Sequence, residues 1–413
     1  MSNSISPESG NQKTKTTSPT ETAARQNLVE AAKRIGPSLR ARSDEINQLR
    51  RLPDGVWRDL VETGLLRALQ PSRWGGVEAG LDEFYAAVAE VARAEGSTGW
   101  ALGIVGVHPW QTALYPRQLQ EEIWGDDPTI FNSSSYAPTG KAEKAPGGWR
   151  LDGRWSFSTG CDHCQWVNLG AIPGMTTVEG LEVPDFRSFI LPRKDYRIDD
   201  NWFVSGLAGS GSKDIVVDNA FVPEYRSQSH WDYTRGVPLP GWEINPSPLY
   251  KLPWAVVFNL ALAAATLGAA QGFLEEWINA SRTRIGGLGL KVSEDPYTYK
   301  LLAEASYTID SGLLTLIRDA GAMMETVRAG EAIPYKRRAA IRYNACRAAQ
   351  LAARAVDDLY ESSSGRIIFF GHPLHRRYQD VKAMLGHAYL NVDNPARMYG
   401  AMELGNRVVE FFL

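Results

Sequence analysis

Cysteine is scarce in this chain of 413 residues: there are three, Cys161, Cys164 and Cys346. Cys161-Asp162-His163-Cys164 has the C-x-x-C spacing, which raises zinc or dithiol chemistry. No second pair completes a four-ligand site, and Cys346 stands alone in a helical pattern. The composition therefore reads as a reduced cytoplasmic protein with partly buried thiols. A basic excess is also missing. Lys and Arg total 44 against 47 Asp and Glu, for a net charge of −3, with the signs interspersed. That balance excludes a nucleic-acid footprint. G-x-G-x-x-G is absent, so a Rossmann nicotinamide site has no support. Residues 1–21 lack the apolar core of a signal peptide and, rich in Ser and Thr, are expected to form a disordered tail. One long apolar run, Leu252 to Ala270, raises the question of a membrane span. Pro253, Asn259, Thr266 and Gly268 interrupt it, and the basic flanks of a spanning helix are missing. It reads as a helix buried on all sides, and no membrane partner is expected.

Hydrophobic residues make up 44% and charged ones 22%, which with this length allows two or three domains. From residue 22 to about 129 the pattern is helical. Leu81 to Ala94 carries a stripe at Phe84, Ala87, Val88, Val91 and Ala92. Gly96-Ser97-Thr98-Gly99 is expected to end that helix, and Trp100 to Val107 to restart another. Between residues 130 and 226 the character turns to strands. Trp149 to Trp155 reads as strand, turn and strand, and Trp166–Ile172, Phe186–Leu191 and Ile215–Val222 are short β-branched or aromatic runs. Residues 227–249 form a long connection rich in Pro, Gly and Trp. Long helices follow across 250–413: Trp254–Arg284, Tyr297–Ala329, Tyr335–Ser362 and His375–Tyr389. Helices, sheet, then helices, with no βα alternation, make an α+β chain that is mainly α.

The segment Trp155-Ser156-Phe157-Ser158-Thr159-Gly160-Cys161-Asp162-His163 joins two aromatics, small hydroxyls and a turn glycine at a strand end. It reads as one wall of a pocket for a flat, nitrogen-rich ring. Other short pieces accompany it in a fixed order: Leu49 to Asp54, Gln70-Pro71 with Trp74-Gly75-Gly76, Gly96 to Trp100, and Gly106-Val107-His108. Ser133 to Pro138, Asp200-Asn201-Trp202, Gly209 to Lys213 and Gly386-His387-Ala388 complete the series. Together they resemble the acyl-CoA dehydrogenase fold: a helical domain, a β domain and a C-terminal four-helix bundle. Within it the chain is similar to the oxygenase components of two-component flavin monooxygenases, near the hydroxylases of para-hydroxyphenylacetate and of a secosteroid phenol. The likeness runs from about Leu49 to Asn394.

That resemblance implies reduced FMN or FAD, O2, and a separate NAD(P)H:flavin reductase. It implies hydroxylation of an aromatic substrate, phenolic or polycyclic, through a C4a-hydroperoxyflavin, by a homotetramer. It assigns His108 as the base that takes a phenol's proton, a role suited to imidazole at neutral pH. Ser134 would bond the substrate oxygen and His387 would stand beside flavin and substrate. Trp100, Ser134, Phe157, Thr159 and Ser212 would hold the flavin, and Arg282 its phosphate, across a subunit interface. The position of Thr159 is usually Ser in those hydroxylases, and Lys382 stands where His is common. Trp110, Trp242 and Trp254 are candidates for the substrate pocket. Taken singly, each residue has a plainer reading: a core histidine, a polar turn, a strand-end hydroxyl, a surface arginine, core tryptophans. The alternatives are an acyl-CoA dehydrogenase, or nitrogen or sulfur oxidation on the same fold. Ala388 bears on the first, because many dehydrogenases carry their catalytic Glu there.

Overall fold

The structure, a computed structural model, describes residues 19–410 except Leu288, with side chains from Leu28 onward. Seven helices come first: α1 Pro19–Ala41, α2 Ser43–Leu49, α3 Asp54–Glu62, α4 Leu81–Ala94, α5 Gly96–Gly106, α6 His108–Thr112 and α7 Arg117–Trp124. Residues 1–18 of the expected tail lie outside the described residues. Its last three open α1, with Pro19 at the first position, where a missing N–H costs nothing. The Gly-Ser-Thr-Gly segment does not separate two helices; it is the first turn of α5. The carboxylate of Glu95 captures the amides of Ser97 and Thr98 and so starts the helix four residues before Trp100. Gly99 is required there, because a Cβ would stand 2.3 Å from Cα of Ala92 in α4.

The strands are β1 Asn132–Ala145, β2 Gly148–Ser158, β3 Trp166–Ala171, β4 Met175–Val178, β5 Leu181–Pro184, β6 Arg187–Pro192, β7 Arg197–Asp199, β8 Lys213–Pro223 and β9 Ser227–Ser229. Seven form one sheet in the order β7-β8-β2-β1-β3-β6-β9, and β4 and β5 form a hairpin. β1 and β3 run parallel, the other neighbours antiparallel. Trp149 to Trp155 is not strand, turn and strand. β2 is continuous, Gly153 at φ +142° marks a register slip against β8, and the turn lies earlier, at Gly147. Trp155 fixes the sheet's interior: its indole donates to the Gly170 carbonyl at 2.8 Å and its ring lies over Gly140.

The 227–249 connection is more ordered than a loop. It holds β9, which pairs with β6, then α8 His230–Arg235 and a short turn at Pro240–Glu243. The remaining helices are α9 Trp254–Thr283, α10 Pro296–Arg328, α11 Tyr335–Glu361, α12 Pro373–Leu385 and α13 Asp393–Glu403. α9 is long and apolar enough to cross a membrane by length and composition, yet 94% of its apolar window is buried. It packs against α4, α5, α10, α11 and α12, which removes any need for lipid. α12 stops at Leu385, before Tyr389, and His387 caps the short turn that follows, its Nδ1 accepting from the Tyr389 amide at 3.2 Å. One large apolar core joins the helices before and after the sheet, and a second lies within the sheet.

Candidate active site

Four elements meet around His108. It opens α6, fully buried, with Gln111 three residues on and so on the same helical face. β1 passes alongside, with Ser134 and Tyr136 on one face of the strand. The Tyr136 hydroxyl donates to Gln111 Oε1 and also interacts with Ser134. α9 contributes Trp254 and Phe258, four residues apart, with rings stacked at 4.2 Å. The imidazole of His108 lies 5.5 Å from Phe258 and 6.3 Å from Tyr136, centre to centre. Tyr136 in turn meets Trp254 at 5.0 Å. His230 and Tyr233 of α8 close the far side, at 4.4 and 6.1 Å from Trp254.

His108 is a titratable group facing α9 and β1, with no surface exposed. Neither ring nitrogen meets hydrogen-bond geometry, and nor does Gln111 Nε2. Gln111 is the polar side chain that acts on the imidazole, so the ring is held among aromatics with little polar company. Burial pushes the imidazole down to about 3, with Gln111 pulling the other way. At neutral pH it is therefore an uncharged base.

A second group of residues gathers at the end of β2. Thr159 Oγ1 and Ser212 Oγ are 2.8 Å apart, and Ser212 and Ser210 share a further 2.8 Å contact. Ser158 donates to Ser133 at 2.9 Å, so the serine run of β1 and this strand end are tied together. Phe157 sits in left-handed backbone at φ +67°, with 68% of its surface exposed and Trp202 edge-on at 6.0 Å. Such backbone is uncommon for a bulky aromatic and holds the ring out of the sheet's interior. The neighbouring thiols are inert: burial pushes Cys161 up to about 12 and raises Cys164 too.

Ser158–Ser133 ties the two groups, and His387 joins Trp100 to the first. Its ring lies 5.8 Å from Trp100 and 6.0 Å from Tyr389, whose ring is 6.0 Å from Trp254. His387 is only half-buried, and desolvation brings it down to about 4. Ala388, beside it, is exposed and offers no group to take a proton. Lys382 points elsewhere, into an ion pair with Asp357.

The chain therefore brings together His108, Ser134, Trp254, Trp100, His387, Phe157, Thr159 and Ser212. The indoles of Trp110 and Trp242 donate to the Leu249 and Tyr250 carbonyls, both at 2.8 Å. Arg282 is exposed at the far end of α9, about 42 Å along the helix from Trp254 at 1.5 Å per residue. Its neighbour Arg284 lines a cleft of about 670 Å³ with Arg366 and His372. Sequence reasoning passed over Gln111, Phe258, His230 and Tyr233 as site residues. Their signal was helical spacing from residues already in view: i+3 from His108, i+4 from Trp254, and the His230–Tyr233 pair.

Comparison with known proteins agrees with this architecture. Residues 19–120 match the N-terminal domain of acyl-CoA dehydrogenases, and residues 260–392 their C-terminal domain. Over 371 residues the chain is 40% identical to the oxygenase subunit HsaA of a flavin-dependent monooxygenase from Rhodococcus jostii (strain RHA1), covering 89% of this chain and 96% of that one. It is 30% identical over 396 residues to the oxygenase component of an FADH(2)-dependent resorcinol hydroxylase from Rhizobium sp. (strain MTP-10005), covering 94% and 96%. The crystal structure of 3-HSA hydroxylase from Rhodococcus sp. RHA1 superposes with a TM-score of 0.88 at 37% identity, covering 94% of this chain and 99% of that one.

Proposed function

Since the chain belongs to the oxygenase subunits of flavin-dependent monooxygenases, we propose that it hydroxylates a phenolic or polycyclic aromatic substrate, with His108 as the base. The residues present suit a reduced flavin, FAD or FMN. An exposed aromatic in strained backbone, Phe157, adjoins the hydroxyls of Thr159 and Ser212, with Trp100 and Ser134 as further walls. When bound, the flavin supplies activation of O2, one oxygen atom going to the substrate ring and the other leaving as water. A separate NAD(P)H:flavin reductase supplies the reduced flavin. We place the reaction in the cytoplasm and in a homotetramer, in which Arg282 serves the flavin phosphate of another subunit.

The observation that carries this reading is the fully buried imidazole of His108, set among aromatic rings with Gln111 beside it. An uncharged imidazole takes the phenol's proton, and the resulting phenolate is the stronger nucleophile towards oxygen. Ser134, on the strand beside it, donates to the phenolic oxygen. Tyr136, held by Gln111, fixes the distance between strand and helix. The enclosing rings of Trp254, Phe258, Tyr136 and Tyr233 exclude water from the reacting atoms.

The test is a single turnover. Protein loaded with reduced FMN under argon is mixed with O2 and a panel of phenols, and product and hydrogen peroxide are measured together. Hydroxylated product from wild-type protein, lost in H108N while reduced-flavin binding persists, is the expected result. Quantitative peroxide and no product from any phenol would count against the reading.

A further inference from the structure

We infer that Asp380, outside the site described above, is a positioning residue that holds the Thr159–Ser212 hydroxyl pair in place for the flavin. The inference rests on the proposed flavin site. Its geometry does not.

Asp380 lies on α12 and is 4% exposed. Its Oδ1 accepts the Leu207 amide at 2.6 Å. Leu207 has φ +58°, a left-handed conformation that a branched residue adopts only when something compels it. From Leu207 the chain makes the tight turn Ala208–Ser210 and returns through Gly211, also left-handed, to Ser212. Ser210 touches Ser212, Ser212 touches Thr159, and the Ser210 carbonyl accepts the Gly160 amide at 3.0 Å. A run of short contacts therefore leads from one carboxylate to the end of β2.

The same carboxylate reaches two other walls of the site. A Cβ on Gly96 would stand 2.9 Å from Asp380 Oδ2, so the acid rests against the first turn of α5, the helix that carries Trp100. α12 itself leads to His387, seven residues on. The packing leaves no slack: a Cβ on Gly206 would lie 2.2 Å from the Gln379 carbonyl, and one on Gly209 2.1 Å from Ile46 Cγ2. Trp202 follows the same turn, its indole donating to the Leu207 and Ala208 carbonyls at 3.1 Å while its ring faces Phe157. Loss of the Asp380 acceptor releases the strain at Leu207, and the hydroxyls move with it.

The test compares D380A, D380N, S212A and the double variant D380A/S212A in the full-length protein. V381A, a cavity on the same helix, is the control for general destabilisation. Hydrogen exchange without flavin reads the link itself. D380A is expected to speed exchange of the 207–213 amides about tenfold or more, and D380N, which keeps an acceptor oxygen, to restore protection. Titration with reduced FMN under argon reads the consequence. D380A and S212A each weaken binding about tenfold, and the double variant falls within about twofold of the worse single one, as expected for two residues acting through one contact chain. V381A combined with S212A multiplies instead. Unchanged exchange at 207–213 in D380A, or multiplying losses in D380A/S212A, would overturn the inference. Wild-type protein that binds no reduced flavin would sink the proposed function alone, because the exchange result still decides whether Asp380 holds the turn.

Discussion

The proposed roles of His108 and Thr159 bear on different parts of the chemistry, and each has its own test. Burial holds the His108 imidazole at about 3, far below its unfolded value of about 6.5. Between those values the unfolded chain binds more protons, so stability falls as pH falls from 6.5 towards 3. H108N removes that dependence, and its thermal midpoint is expected to vary less than wild type's over this window. The same shift governs rate. kcat/KM reports the free enzyme's base, so its acid limb belongs well below 6.5. A limb centred near 6.5 would mean that a different, solvated base does the work. Hydroxylation in H108N itself is expected to drop about a hundredfold or more, the usual weight of a lost general base. The role proposed for Thr159 is fidelity. T159A takes from Ser212 one of its two hydroxyl partners, at a cost of about 1 kcal/mol, and removes a hydroxyl proposed to face the flavin. The share of O2 recovered as hydrogen peroxide is expected to rise in T159A and to stay at or below wild type in T159S. An equal share in all three proteins would show that this hydroxyl does not guard the reaction.

Among the elements, what sequence pattern conveys and what it omits separate cleanly. The stripe of α4 and the apolar length of α9 follow from periodicity, and both helices formed where expected. The start of α5 did not, because Glu95 reaches forward to cap it, and a glutamate cap looks like any other charge in a string. The continuous β2 was hidden for a similar reason: Asp152-Gly153 has turn chemistry, yet pairing with β8 on its flank absorbs Gly153 as a bulge. His108, Ser134, Thr159 and His387 were legible through a resemblance; spacing alone left each one ambiguous. Gln111 shows in the sequence only as i+3 from His108, and Asp380 was not legible, since its importance lies in a contact across 173 residues of chain. Asp380 makes an element-scale prediction. Its carboxyl is pushed up to about 7, by burial first and then by Glu95 at the head of α5, against the Leu207 amide, Arg376 and Arg377. The unfolded acid ionises near 4, so between about 4 and 7 the folded state holds the extra proton. Stability from this group is full below 4 and is lost as pH rises through 7. D380N is expected to flatten that loss and to melt higher than wild type at pH 8. A lower midpoint at pH 8 would show that the ionised carboxylate is the form the fold requires.

For the whole molecule, the decisive feature is distance. Arg282 stands about 42 Å along α9 from Trp254, so it cannot serve the ring cluster of its own chain. The flavin phosphate proposed for it belongs to a neighbouring subunit, and on that proposal each site is built from two chains. Two damaged proteins should therefore repair one another. H108N homo-oligomers lack the base in every site, and R282A homo-oligomers lack the phosphate contact in every site. When the two are unfolded together and refolded, a mixed pair contains one site with both changes and one with neither. Assayed at limiting reduced flavin, where the R282A defect is largest, the mixture is expected to exceed the mean of its parents and to approach about a quarter of wild type. R282A alone is expected to weaken reduced-flavin binding about tenfold, as the loss of one charge-assisted contact to phosphate. Activity equal to the parental mean, from a mixture shown by native mass spectrometry to have exchanged subunits, would confine each site to one chain and leave Arg282 an ordinary surface residue.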